Sequence, residues 1–247
     1  MANLDPRYAR TSAVTADTMD AGLRAYMLRV YNYMTGALVL TGALAWLTAN
    51  SPLINSFYQQ SANGTGLQPT ILGYIALFAP FGLALFLQFR IQKMSFSAAQ
   101  TTFWVYAGLM GISLSWILLV YTGASVALTF FVTAATFGGM SLYGYTTKRD
   151  LSGFGSFLIM GVWGIMIAMI ANMFFRSPAV DFVVSVLGVL IFTGLTAYYN
   201  QAIKNFYRAD DDSSAMGKKA IFGALLLYIS FINLFMFLLR FMGSSRR

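Results

Sequence analysis

This chain has no histidine, no cysteine and no glutamate. Without thiols there can be no disulfide, thiolate nucleophile or cysteine zinc site, and without imidazole there is no Ser-His catalysis and no group that titrates near neutrality by default. All eight acids are aspartates (Asp5, Asp17, Asp20, Asp150, Asp181, Asp210, Asp211 and Asp212), and none lies in the middle of an apolar run. Acid/base catalysis needs titratable groups gathered in a site. These lie at the edges of apolar runs or in loops, so no enzyme, catalytic residue or cofactor is expected. Asp150 is expected to pair with Lys148 or Arg149, Asp181 to sit at a helix start where an anion suits the dipole, and Asp210–Asp212 to form a solvated turn.

What is present is apolar. Hydrophobic residues make up 58% of the 247 and charged ones 10%, against roughly 45–50% apolar in soluble domains; the mean hydropathy is +0.66. A helix crosses a bilayer with about 20 apolar residues, and seven runs qualify: Val30 to Ala49, Thr70 to Phe89, Phe103 to Tyr121, Ser125 to Tyr145, Gly153 to Phe175, Phe182 to Ala202 and Ala220 to Met242. The expectation is an all-α polytopic membrane bundle over residues 27–247, preceded by a polar tail, 1–26, that lacks the apolar core of a signal peptide.

A formal charge of +8 suggests nucleic acid only until the sixteen basic residues are located. They lie between the apolar runs, twelve on the side of the N-terminal tail and four on the other. The positive-inside rule then places the N-terminus in the cytoplasm and makes the lipid bilayer, not nucleic acid, the partner. Arg240, Arg246 and Arg247 fit that rule poorly, so a last segment that does not cross fully is the competing topology. Asn63-Gly64-Thr65 matches a glycosylation sequon.

Polar and small residues inside the runs mark helix contacts or a path. In the fifth run Gly153, Gly161, Gly164, Ala168 and Asn172 are spaced for one face, a packing groove with Asn172 as a polar clasp. In the sixth, Thr193, Thr196 and Asn200 share a stripe with Tyr199 beside it; in the seventh, Ser230, Asn233 and Arg240 share another. Facing one another, the two stripes either line a narrow hydrated path or clasp two helices together. Arg90, ending the second run, either snorkels to the interface or turns inward as a positive plug.

The segments VYNYMTGALVLTG, FRIQKMS, TFGGMSLYGYTTKRDLSGFGSFLIMG, VLGVLIFTGLTAYYNQAIK and LYISFINLFMFLLRFMG resemble, in order, the signature segments of the Bax inhibitor-1 (transmembrane Bax inhibitor motif) family, in its bacterial branch. That resemblance implies seven helices, the last in the middle of a ring of six, in a bacterial inner (plasma) membrane. It also implies a pH-dependent calcium leak, and in animals and plants suppression of cell death. The sensor it implies is an aspartate pair, one each from the sixth and seventh helices, near an arginine from the second. Two close carboxylates share a proton and titrate as a pair. Here Tyr199 and Ser230 stand at the aspartate positions and Arg90 is the counterpart of the arginine. A phenol with a pKa near 10 and a hydroxyl cannot switch near neutrality. Calcium, which favours carboxylate ligands, would bind weakly, so no metal site is expected. Two functions follow as expectations: cation leak for ion homeostasis without the paired sensor, or a non-conducting scaffold that binds another membrane protein such as a quality-control protease.

Overall fold

The computed structural model describes residues 6–60 and 67–245, with side chains described for 21–59 and 68–245. The sequon at Asn63 and the charges of Arg246 and Arg247 lie outside these. Seven long helices dominate: α1 (Pro6–Ala49), α2 (Ile71–Arg90), α3 (Phe96–Leu114), α4 (Gly123–Thr146), α5 (Ser152–Phe175), α6 (Pro178–Phe206) and α7 (Ser213–Met242). Each contains a segment long and apolar enough to span a membrane. α1 starts at Pro6, so most of the polar stretch 1–26 is a continuation of the first helix.

Local chemistry sets the starts. Thr70, Ser95, Thr122 and Asp212 each accept the backbone N–H three residues on, from Gly73, Ala98, Ser125 and Ala215, satisfying one of the donors that a helix start leaves orphaned. Pro178 occupies the first position of α6, where its missing N–H and fixed φ cost nothing. The caps let α3 and α7 begin ahead of their apolar runs, with mostly polar or small first turns that lie outside the greasy segment yet remain helical. Between α1 and α2, β1 (Tyr58–Gln60) pairs antiparallel with β2 (Leu67–Pro69). The Tyr58 hydroxyl donates to the Ser113 carbonyl at 3.1 Å, and burial pushes that phenol up to about 12.

Lipid tails are as apolar as leucine, so close packing, not burial from water, decides which helix goes inside. α7 is the most enclosed of the seven and α5 the least. Leu225, Leu227, Tyr228 and Leu234 on α7 are wholly inaccessible. The helix packs against α6, α1, α4 and α3, with lighter contact to α2. Tyr228 bonds Thr41 of α1 at 2.7 Å, and Thr41 donates on to the Ala107 carbonyl of α3 at 2.8 Å. Since the single Thr41 proton is given to Ala107, the tyrosine is the donor of the first bond.

The central helix runs the length of the bundle. Near its start, Lys218 bonds the Gln92 carbonyl in the α2–α3 turn at 3.2 Å. Past its end, Ser244 accepts from the Thr122 N–H and donates its own N–H to Ser125, at the opposite, α3–α4 turn. Its two ends thus meet turns at opposite ends of the bundle.

Candidate functional site

One side of α7 faces a cavity of about 540 Å³ walled by α2, α3, α5, α6 and α7 itself. Most of the wall is apolar, with Pro80, Phe81, Ile165, Phe192 and Phe237 prominent. Its polar members are Gln88, Tyr106, Tyr199, Ser230, Asn233 and Arg240, and no carboxylate lines it. Four residues singled out from the sequence, Tyr199, Ser230, Asn233 and Arg240, thus share one chamber. Ser230 is wholly buried and its hydroxyl has no hydrogen-bond partner. The Asn233 amide donates back to the Ile229 carbonyl at 2.8 Å. The arrangement offers hydroxyl and amide oxygens to a guest and one fixed positive charge near the far end of α7.

Arg90, Thr196 and Asn200 are not in that wall. Arg90 is exposed in the last turn of α2; Gln88 lines the cavity and Ile91, 1% exposed, packs inward. Thr196 spends its hydroxyl on the Phe192 carbonyl of its own helix at 2.8 Å. Asn200, wholly buried, joins three helices: it accepts from the Tyr31 hydroxyl of α1 at 2.5 Å, and donates to Ser141 of α4 at 3.0 Å and to the Thr196 carbonyl at 2.8 Å.

The polar end of α6 is a clasp along its whole length. Gln201 accepts the Leu151 N–H at 2.8 Å and donates to the Arg149 carbonyl at 2.7 Å. Lys204 donates to the Tyr145 carbonyl at 3.1 Å and sits 5.3 Å from the centre of that ring. The segment TTKRDL is thereby stapled to α6 through its backbone. Asp150 accepts the Ser152 N–H at 2.9 Å and is in no ion pair among the described residues, so it caps α5 instead of pairing with Lys148 or Arg149. Asp211 pairs with Lys219 at 2.6 Å and Asp210 with Arg208 at 3.2 Å.

On α5 the buried positions are Gly155, Leu158, Ile165 and Asn172. Gly155 lies under the Tyr198 ring, and a Cβ on Gly161 would meet the tip of Ile191 at 2.7 Å. Ala168 is half-buried, whereas Gly153 and Gly164 are exposed with nothing within 4 Å of an added Cβ, so both lie off the contact face. Asn172 ties the α5–α6 turn: it donates to the Ser177 carbonyl at 3.2 Å and to Asp181 at 3.1 Å, and accepts the Ser177 N–H at 2.9 Å. Asp181 stands in the first turn of α6, as its charge suits. Tyr31, Ser141, Gln201 and Lys204 bind α6 to its neighbours and Gln88 lines the chamber, none of them among the residues singled out from the sequence; of these, only Gln201 and Lys204 lie in the acid-free polar stretch YYNQAIK.

A helical bundle with an enclosed central helix, seven spans and a mostly apolar internal chamber defines a polytopic membrane protein. The chain belongs to the Bax inhibitor-1 family: residues 23–247 match the family described as inhibitor of apoptosis-promoting Bax1. It is 48% identical to a protein of Caulobacter vibrioides, covering 97% of each chain. It is 44% identical to a protein of Rickettsia prowazekii, over 97% of this chain and 98% of that one. The inner membrane protein YbhL of Escherichia coli K12 is 43% identical over 97% of this chain and 99% of its own.

Proposed function

We propose that this chain is an inner-membrane protein of ion homeostasis whose internal chamber passes cations poorly and carries no proton switch near neutrality. The observation behind this reading is the acid-free wall that brings Tyr199 and Ser230 into one cavity with Arg240. A cation entering that chamber exchanges water for hydroxyl and amide oxygens and approaches a guanidinium; no carboxylate offsets the lost hydration. The bias of Lys and Arg supports a cytoplasmic N-terminus.

Calcium flux into proteoliposomes between pH 6 and 8 tests the reading, comparing the parent with the Tyr199→Asp/Ser230→Asp double variant. The parent is expected to leak little above empty liposomes, with no slope in pH. The double variant, with two carboxylates in one low-dielectric chamber, is expected to leak with a pH dependence. A parent flux well above background that changes across this range sinks the proposal. If both proteins are silent, the second reading gains: a non-conducting scaffold for another membrane protein, which the tight enclosure of α7 favours.

A further inference from the structure

Two arginines on the side of the bundle that is poor in basic residues converge on one feature. Arg176 and Arg240 both line a pocket of about 600 Å³ between the end of α5, the start of α6 and the end of α7. Neither is in an ion pair among the described residues. Arg176 is held with φ at 49°, the left-handed conformation that normally falls to glycine at a helix end. The acid beside them, Asp181, already accepts a hydrogen bond from Asn172, and two guanidiniums against one carboxylate leave the pocket net positive. Beneath it the lining turns to methionine. Met166, Met169 and Arg240 are shared with the 540 Å³ chamber, which continues between α2 and α5 with an apolar wall.

A charged mouth on an apolar cleft at the end of a membrane bundle has the polarity of one kind of guest. We propose that this is a binding site for a single anionic phospholipid, its phosphodiester held by Arg176 and Arg240 and one acyl chain lying in the cleft between α2 and α5. The arginine fork matches phosphate oxygens in pairs, and a headgroup with one net negative charge neutralises the pocket. Unbranched, adaptable methionine side chains suit a flexible hydrocarbon chain. The same occupancy gives a reason for arginine on the side where the positive-inside rule disfavours it. It shares Arg240 and the chamber with the proposed function, but its contacts need neither Tyr199 nor Ser230, so lipid retention and calcium flux test the two separately.

Native mass spectrometry of the full chain in detergent tests this with phosphatidylglycerol and phosphatidylcholine of equal chain length as probes. One phosphatidylglycerol is expected to stay bound at activation that strips phosphatidylcholine. Its retention should fall at least tenfold in Arg176→Gln/Arg240→Gln and stay unchanged in Arg90→Gln. Within the parent alone, dihexanoyl phosphatidylglycerol should be held more weakly than the long-chain lipid, so the idea is open to refutation even if the double variant does not fold. Equal retention of the two headgroups, equal retention of short and long chains, or a folded double variant that binds as the parent does would each overturn it.

Discussion

Asn200 shows how the polar end of a membrane helix resolves once neighbours are known. A buried asparagine read on its own helix belongs to a stripe with Thr196 and Thr193, and a stripe invites a path. Its partners, Tyr31 and Ser141, lie 169 and 59 residues away along the chain, so nothing in the local pattern says which side of α6 it serves. The residue types were legible, and the side was not. Replacing Asn200 by Leu strands two hydroxyls, and a buried group without its partner costs about 1–3 kcal/mol. Thermal unfolding in detergent is expected to show a clearly lowered Tm for Asn200→Leu. Ser230→Ala is the matched contrast, because it removes a buried hydroxyl that bonds to nothing. No loss of Tm is expected there; a loss as large as that of Asn200→Leu would mean that Ser230 has a partner after all.

Between elements, the decisive contacts are glycines facing large or rigid neighbours, and this explains why the spans were readable but their faces were not. Apolar length fixes a span from its own residues. A contact face depends on what the adjoining helix presents: Tyr198 over Gly155 and Ile191 over Gly161 select a face that Gly164, with identical local chemistry, does not share. Gly144 is the tightest case of this kind on α4, since a Cβ there would run into the backbone carbonyl of Ala197 on α6. Backbone cannot swing aside as a side chain does, so Gly144→Ala is expected to cost about 1–3 kcal/mol by overpacking. Gly164→Ala, exposed and unopposed, should leave the unfolding temperature unchanged or raised. The turns carry the pH dependence that can be assigned. Asp150 is held below its ordinary value of 3.8, chiefly by its hydrogen bond with Ser152. Its folded value is the lower one, so any stabilisation is full above about 3.8 and disappears as pH falls through the lowered value. The Tm difference between the parent and Asp150→Asn should therefore be constant from pH 6 to 8 and shrink only in acid; a slope near neutrality would contradict the assignment.

At the scale of the whole molecule, the seven spans agree between sequence and structure and the central last helix between resemblance and structure, while the part of the chamber between α2 and α5 has no signal in the sequence. It exists because α2 and α5 flank α7 from the two halves of the chain, and such an arrangement is a property of helix order in space. The absence of cysteine makes that chamber measurable. Single cysteines at Arg240, Asn233 and Ser230 sample α7 over ten residues, about 15 Å of rise. Arg240 is exposed, Asn233 is half-buried and Ser230 is wholly buried. A charged, membrane-impermeant thiol reagent reacts with a thiolate that water can reach. Its rate is expected to fall in that order, to nothing at Ser230→Cys, if the chamber is a blind, mostly dry pocket closed at its middle. Rapid modification of Ser230→Cys would instead mean continuous water from the Arg240 end to the level of Ser230. In that event the weak flux expected of the parent would have to be explained by the positive charge of Arg240 alone, and Arg240→Gln should then open the path to calcium.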